Sequence, residues 1–305
     1  MHQRSENRWA VVLAGGDGSR LKSFTKRIVG YELPKQFCPI MGPKPLLEQT
    51  LERISGTVAP SRTVISLNRE HQRFYCPILL KRPWLLAQQP VNRGTAPAIL
   101  HALMQIHDEA PSSVVGLFPS DHYVNDDYGF MRHVAEAFDA VEVSDETVVL
   151  LGVEAGGPEQ GYGWIEPVDP FCSSDQRLFS VKRFVEKPDA ELAETLWRRG
   201  ALWNTFVLVG HVSALLRMFM IYLPRLYGHF NGLVPILDSV FEPSILTRLY
   251  AELPTLCFSK DVLQKCAANL AVLPVRGIEW CDLGEPARVM ETIRQAGVSP
   301  QWAQK

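Results

Sequence analysis

The stretch of the sequence with the clearest chemical potential is a short apolar run followed by glycines and an arginine. Residues 10–14 are apolar and predict a buried strand, which ends in Gly15, Gly16 and, two positions later, Gly18. Glycine lets the backbone approach a ligand closely, and consecutive free N–H groups in such a turn bind anions. Arg20 adds a permanent positive charge suited to phosphate oxygens. The pattern predicts a nucleotide triphosphate site, although an ordinary glycine turn would explain the glycines alone about as well.

Two better-known phosphate loops are excluded by the spacing of this loop. A P-loop requires a lysine after its last glycine, and no lysine follows Gly18 at that spacing. A dinucleotide fingerprint requires a third glycine, but Gly16 and Gly18 are followed by Ser19, Arg20 and Leu21. The loop is therefore predicted to be a phosphate binder of another kind.

Charged residues that could act on a phosphate follow at three later points of the chain. Asp121 follows the predicted strand 113–119 after Ser120, at the strand end where open α/β sheets bind ligands. It is a candidate metal ligand, with capping of the next turn as the alternative, and Asp282 could supply a second carboxylate. Lys35 follows Pro34 and could reach a phosphate as a point charge, although a solvated surface lysine is the simpler interpretation of Lys35 alone.

Polar residues near three further predicted elements are candidates for binding a base or a sugar. The amide of Gln89, close to Gly94, offers the donor and acceptor needed to read a base edge. Thr95 is a candidate N-cap for a helix through residues 96–106. Glu186 and Lys187 are adjacent on a predicted strand and are expected to point to opposite faces, one toward a sugar hydroxyl and the other toward a phosphate. Asn204, at the start of another predicted strand, is a possible hydroxyl ligand.

The elements that must position these residues alternate between strand and helix over the first half of the chain. This alternation predicts an α/β fold, with a Rossmann-like, doubly wound, mostly parallel sheet. Residues 161–167 and 179–188 instead alternate like antiparallel strands, joined by a polar turn at 169–176, and predict an antiparallel, sugar-binding subregion. The polar stretch 22–32 is predicted to be a mobile surface loop, and 211–253 a helical region broken at Pro224 and Pro235.

Composition narrows the class of protein. The chain has 305 residues, 46% of them hydrophobic, with a formal net charge of −2 and a pI near 6.5. Near-zero charge argues against nucleic-acid binding, and a polar N-terminus without an apolar core argues against a secretory signal. Six scattered cysteines without a Cys-x-x-Cys pair suggest neither a zinc site nor a disulfide framework. A cytoplasmic protein without a membrane span is expected.

The order of the motifs resembles that of the sugar-1-phosphate nucleotidyltransferases, especially the mannose-1-phosphate guanylyltransferase branch. Eight similar pieces, each weak alone, occur in family order between about residues 9 and 290. They are Leu13-Ala-Gly-Gly-Asp-Gly-Ser-Arg-Leu21, Pro34-Lys-Gln-Phe37, Gly94-Thr-Ala-Pro-Ala-Ile99, Phe118-Pro-Ser-Asp-His122, Gly161-Tyr-Gly163, Phe184-Val-Glu-Lys-Pro188, Trp203-Asn204 and Asp282-Leu-Gly284. The second and fourth pieces point to the mannose branch.

The resemblance implies transfer of a nucleotide from GTP to mannose-1-phosphate, giving GDP-mannose and pyrophosphate. It implies a single nucleotidyltransferase domain over 1–305, with a nucleotide-binding half at about 9–150, a sugar-phosphate half at about 151–290 and no β-helix or cupin extension. Expected partners are a nucleotide triphosphate and a sugar-1-phosphate, with a homo-oligomer left open, and the expected cofactor is Mg²⁺. The implied nucleotide-binding residues are Leu13, Ala14, Gly15, Gly16, Gly18, Ser19, Arg20, Gln89, Gly94 and Thr95. The implied catalytic residues are Arg20, Lys35, Asp121 and Asp282, of which the two aspartates would hold the metal. The implied sugar-phosphate residues are Gly163, Glu186, Lys187 and Asn204.

Departures from the family pattern cluster at the base and sugar pockets. Gly94 stands where the family usually has Asn, Thr205-Phe206 where it has Ser-Gly, and Glu285-Pro286 where it has Ser-Trp. Two alternatives therefore stay open: the same reaction with glucose-1-phosphate and dTTP or UTP, and a catalytically weak paralogue that binds nucleotide sugars and regulates a partner.

Overall fold

The computed structural model describes residues 7–80, 82–172, 175–233 and 242–304. The strands are β1 (Arg8–Leu13), β2 (Thr63–Asn68), β3 (Leu85–Gln89), β4 (Val114–Pro119), β5 (Tyr123–Val124), β6 (Val148–Glu154), β7 (Gly163–Cys172), β8 (Asp175–Glu186), β9 (Leu202–His211), β10 (Leu270–Val275) and β11 (Trp280–Cys281). The α-helices are α1 (Lys22–Val29), α2 (Leu46–Ile54), α3 (Gln72–Leu79), α4 (Thr95–Glu109), α5 (Asp127–Glu142), α6 (Ala190–Arg198), α7 (Val212–Tyr222), α8 (Pro224–Asn231), α9 (Glu242–Glu252), α10 (Phe258–Asp261) and α11 (Pro286–Ala296).

Nine of these strands form one mixed sheet in the order β3-β2-β1-β4-β9-β6-β10-β8-β7. β1 pairs in parallel with β2 and β4, β2 with β3, and β6 with β10. The predicted α/β fold and the antiparallel β7–β8 pair are confirmed. The antiparallel β9 lies in the middle of the sheet, between β4 and β6, and also pairs with β7. This central strand therefore joins the all-parallel group β3-β2-β1-β4 to the mixed group β6-β10-β8-β7.

Helices cover both faces of the sheet, as a doubly wound fold requires. Successive residues of β1 alternate between the faces: Val12 joins a core that includes α2, α5 and α11, whereas Val11 joins a core that includes α4, α7 and α8. The strand residues are buried on both sides, which explains why β1 and β4 appear in the sequence as continuous apolar runs.

The prediction of a mobile loop over residues 22–32 was wrong, because α1 occupies most of it. Leu21, Phe24 and Ile28 recur at helical spacing and contact the core, although the segment is basic overall. Gly30 ends the helix in the left-handed conformation, and its N–H donates to the Lys26 carbonyl over 2.8 Å.

Two other predicted boundaries differ from those in the structure. β7 and β8 extend through most of the predicted turn at 169–176, and residues 173 and 174 lie outside the described part of the chain. The predicted helical region contains α7, α8 and α9, and α8 begins at Pro224; the predicted break at Pro235 lies outside the described residues. Within the described ranges, no helix combines the length and apolarity needed to cross a membrane.

Candidate functional site

A polar cleft of about 390 Å³ lies where β1, β4 and β8 end and the two-stranded β5–β11 sheet approaches them. Twelve of the residues singled out in the sequence line it. They are Gly16, Gly18, Ser19, Arg20, Lys35, Thr95, Asp121, Gly163, Glu186, Lys187, Asn204 and Asp282. The structure thus brings all the predicted catalytic and sugar-phosphate residues to one cleft.

Five predicted nucleotide-binding residues do not line this cleft: Leu13, Ala14, Gly15, Gln89 and Gly94. Gln89 is buried behind the glycine loop, where its Nε2 donates to the Ser66 hydroxyl over 3.3 Å. A Cβ on Gly15 would lie 2.8 Å from Gln89 Nε2. Gln89 is therefore placed to support the glycine loop.

The glycine loop is held in place by Gln36, a residue that the sequence interpretation did not single out. The buried Gln36 amide donates to the Ala14 carbonyl at 2.9 Å and to the Gly16 carbonyl at 2.7 Å. Gly18 has φ +60°, and a Cβ there would lie 3.0 Å from the Lys35 backbone nitrogen. A Cβ on Gly16 would meet no described heavy atom within 4 Å, so the backbone here is open to a ligand.

Lys35 connects the two predicted metal ligands. Its ammonium lies 3.2 Å from Asp121 Oδ2 and donates to the Asp282 main-chain carbonyl at 2.5 Å. The side chains of Lys35 and Asp121 are only 13% and 24% exposed, so this ion pair is less screened than one on the surface. The pair lies between the segment after β4 and the segment after β11, where opposing charges can act on a phosphate.

Asp282 has a second cationic partner that the sequence interpretation missed. Arg288, in the first turns of α11, donates to Asp282 Oδ1 at 2.6 Å and lies 3.2 Å from the Glu159 carboxylate. Burial alone raises the pKa of the Asp282 carboxyl, but the charges of His122, Lys35 and Arg288 lower it below its ordinary value overall. Burial also lowers the pKa of the His122 imidazole to about 4.

The donor set fits a hard divalent cation shared with a substrate. Asp121 and Asp282 offer carboxylate oxygens to the same cleft, and both side chains are partly exposed to it. No cluster of three or more His, Cys, Asp or Glu side chains suited to a metal ion occurs in the part of the chain that the structure describes. Two carboxylates without a closed cage match Mg²⁺, which typically takes one or two protein carboxylates and completes its shell with water and substrate phosphates.

Glu186 and Lys187 lie side by side in the cleft, which corrects the expectation that they point to opposite faces. β8 ends at Glu186, and Lys187 beyond it has φ +49°. Strand alternation therefore no longer applies, and the Lys187 ammonium lies 3.7 Å from Glu186 Oε1. Burial raises the pKa of Glu186, partly offset by Lys187. A Cβ on Gly163 would lie 2.9 Å from Glu186 Oε2, which explains the glycine opposite this carboxylate.

The start of α4 and the segment before it are hydrogen-bonded to the backbone of Leu256. The Leu256 carbonyl accepts from Ala96 N at 3.1 Å, and Leu256 N donates to the Arg93 carbonyl at 3.0 Å. Thr95 is the first residue of α4 and not its N-cap, which is Gly94, and the Thr95 hydroxyl accepts from Phe258 N at 2.8 Å. A Cβ on Gly94 would clash with the Leu256 carbonyl oxygen, which gives a physical reason for glycine at this departure from the family pattern.

Gly94→Ala is expected to destabilise the fold by on the order of 3 kcal/mol, because φ +86° and the close Leu256 carbonyl both disfavour a side chain. Gly277→Ala is the matched control, since Gly277 has φ +71° but a Cβ there would meet no described heavy atom within 4 Å. The control should lose only about 1 kcal/mol. Urea unfolding of both variants measures the difference, and equal losses would contradict the role given to Leu256.

Comparison with known proteins identifies the family. The sequence profile of the nucleotidyl transferase family matches residues 9–218, more than half of the chain. The chain belongs to the nucleotidyl transferase family. It is 34% identical over 214 residues to the alginate biosynthesis protein AlgA of Pseudomonas aeruginosa, covering 67% of this chain and 41% of that protein. It is 29% identical over 292 residues to a mannose-1-phosphate guanylyltransferase of Klebsiella pneumoniae, covering 92% of this chain and 59% of that protein.

A solved structure of this nucleotidyl transferase fold extends the comparison. The protein described as mannose-1-phosphate geranyltransferase of Thermus thermophilus superposes with a TM-score of 0.80 at 27% identity, covering 96% of this chain and 80% of that one. The present chain spans about half the length of the curated relatives it matches.

Proposed function

We propose that this nucleotidyl transferase couples GTP to mannose-1-phosphate, forming GDP-mannose and releasing pyrophosphate. One observation carries the proposal: a single cleft holds a glycine loop with Arg20, the carboxylates of Asp121 and Asp282 beside Lys35, and the polar group of Glu186, Lys187 and Asn204. The cleft therefore has cations for two phosphorylated substrates and polar groups for a sugar. Mannose and guanine are favoured because of the names carried by the similar proteins.

The reaction needs no covalent intermediate on the protein. An oxygen of the sugar phosphate attacks the α phosphorus, a new P–O bond forms, and the bond to the bridging oxygen breaks with its electron pair leaving on pyrophosphate. Arg20, whose side chain is 59% exposed, would bind the β and γ phosphates. The Lys35 ammonium would stabilise charge that develops at the α phosphate.

Positioning accounts for much of the expected rate enhancement. Glu186 and Asn204 would orient the sugar through its hydroxyls, while Lys187 would bind the sugar phosphate. Asp121 and Asp282 would hold Mg²⁺, which supplies charge neutralisation and orientation of phosphate oxygens when bound. Arg288 bonds both the Asp282 carboxylate and Glu159, and would keep the Asp282 carboxylate oriented as a metal ligand.

The test is pyrophosphate release measured across GTP, ATP, UTP, CTP and dTTP, each with mannose-1-phosphate and with glucose-1-phosphate. The proposal predicts the highest kcat/KM for GTP with mannose-1-phosphate. The kcat/KM for ATP should be lower by about tenfold or more, because a base that does not match the site leaves a polar group unsatisfied. A preference for UTP or dTTP with glucose-1-phosphate would assign the chain to the other branch. Binding of nucleotide sugars without turnover on any pair would favour a regulatory paralogue.

Lys187→Ala is expected to raise the KM for the sugar phosphate on the order of tenfold while leaving the KM for GTP within about twofold, because a charge-assisted contact is lost. Lys182→Ala is a matched control on β8: the two lysine side chains are 58% and 56% exposed, and Lys182 pairs with Glu166. Steady-state kinetics with each substrate varied in turn measures the effect. An unchanged KM and kcat in Lys187→Ala would show that this lysine does not bind the sugar phosphate.

A further inference from the structure

Phe206 has an unusual backbone conformation beside the cleft. Its φ is +63°, in the left-handed region that a bulky residue adopts only at a conformational cost. Among the described residues other than glycine, Lys187 and Leu283 share a positive φ. Lys187 and Phe206 both line the cleft, and Leu283 lies between the cleft residues Asp282 and Gly284. Strained backbone is thus concentrated around this one site, as is typical of functional positions.

The strain at Phe206 is built into a β-bulge. β9 changes register against β6 between Leu150 and Gly152, opposite the segment 204–208. The Asn204 side-chain oxygen accepts from Phe206 N at 3.1 Å. The fully buried Thr205 hydroxyl donates to the Leu151 carbonyl at 2.7 Å and accepts from Val207 N at 3.2 Å. These bonds impose the bulge, and bulges beside binding sites commonly redirect a side chain.

The bulge places an aromatic residue beside polar side chains of the cleft. Phe206 is half-buried, packs against the core that includes α4 and α7, and lines the cleft together with Asn204 and Glu186. Carboxylate and amide groups are suited to hydroxyls, whereas an aromatic surface is suited to the C–H face of a pyranose ring. A polar or charged substituent facing this surface would lose its hydrogen bonds to water without replacement.

We propose that Phe206 is a specificity-determining residue that forms the apolar wall of the sugar subsite and selects a neutral, unsubstituted hexose. This inference rests on the proposed function, in that it takes a sugar to be bound beside Glu186 and Asn204. It assigns recognition of the sugar ring to Phe206 and leaves recognition of the nucleotide to the glycine loop.

The test compares binding of GDP-mannose with binding of GDP by calorimetry, in wild type and in three variants. Phe206→Gly removes the ring and accepts φ +63° without strain, so it should fold. It should weaken GDP-mannose binding about five- to tenfold and leave GDP binding within about twofold. Phe206→Asn, which also tolerates this backbone conformation but lacks the ring, should behave as Phe206→Gly does. Phe206→Tyr retains the aromatic surface and should stay within about twofold of wild type for both ligands.

Equal weakening for GDP and GDP-mannose in Phe206→Gly, or no weakening for either, would overturn the inference, as would wild-type binding by Phe206→Asn. The outcome is independent of catalysis. If the substrate matrix shows that another pair is preferred, the matching nucleotide sugar and nucleoside diphosphate replace GDP-mannose and GDP. Failure of the proposed substrate assignment would then appear in wild type, whereas failure of the Phe206 assignment would appear only in the comparison of variants.

Discussion

Asp121→Asn and Asp282→Asn are each expected to lower kcat by about 10² or more, the scale of losing an electrostatic stabiliser from a preorganised site. Both carboxylates line the cleft, and Lys35 contacts the Asp121 side chain and the Asp282 main chain. If the two aspartates hold one Mg²⁺, the double variant should lose little beyond the worse single one, because ligands of one ion act as a unit. Asparagine keeps the side-chain shape, so the loss would report charge and not packing.

A titration with Mg²⁺ distinguishes a lost ligand from a damaged fold. Each single variant should need a higher Mg²⁺ concentration for half-maximal pyrophosphate release than wild type does. Glu52→Gln is the control substitution, because Glu52 on α2 forms an exposed ion pair with Lys44, and exposed ion pairs contribute little to stability. Additive losses in the double variant, or an unchanged Mg²⁺ requirement in both single variants, would contradict a shared ion.

The sequence was sufficient to predict the residues that face the cleft wherever a strand end or a local motif determines their position. Asp121 follows an apolar strand, and the carboxyl ends of neighbouring parallel strands meet at one edge of a sheet, so its location follows from the fold class alone. Glu186 and Asn204 were singled out from their places on predicted strands, whereas Gly163 came only from the resemblance to the family. The insertion of β9 between β4 and β6 could not be predicted, because strand order depends on pairings between distant segments.

Residues that act through long-range contacts were missed. Nothing in the sequence distinguishes Arg288 from the other arginines. In the folded structure its guanidinium lies 2.6 Å from the Asp282 carboxylate and also contacts Glu159 and the Tyr162 ring. Gln36 was visible only as part of a motif, although its amide holds the glycine loop through two carbonyls. Gln89 stays a predicted base contact: its residue type suits base recognition, and the structure adds that it is buried at the end of β3, close to Gly15.

Lys35→Ala is expected to lower kcat by about 10² to 10³ with smaller changes in the KM of either substrate, because the ammonium acts on charge that develops only in the transition state. Lys35→Met keeps most of the apolar stem and should lose a similar factor, which separates the charge from the packing of the side chain. Lys44→Ala is the matched control: Lys44 and its partner Glu52 are 47% and 44% exposed, against 13% and 24% for Lys35 and Asp121. The control should remain within about twofold of wild type.

The Mg²⁺ concentration needed for half-maximal activity should fall in the Lys35 variants and rise in the Asp121 and Asp282 variants. The Lys35 ammonium lies 3.2 Å from Asp121 Oδ2 and competes electrostatically with any cation at that carboxylate. Removing the ammonium should therefore lower the Mg²⁺ concentration for half-maximal activity while kcat falls, whereas removing a carboxylate should raise it. If Lys35→Ala and Lys35→Met instead required more Mg²⁺, the lysine would be orienting Asp121 for the metal, and its assignment to the α phosphate would be wrong.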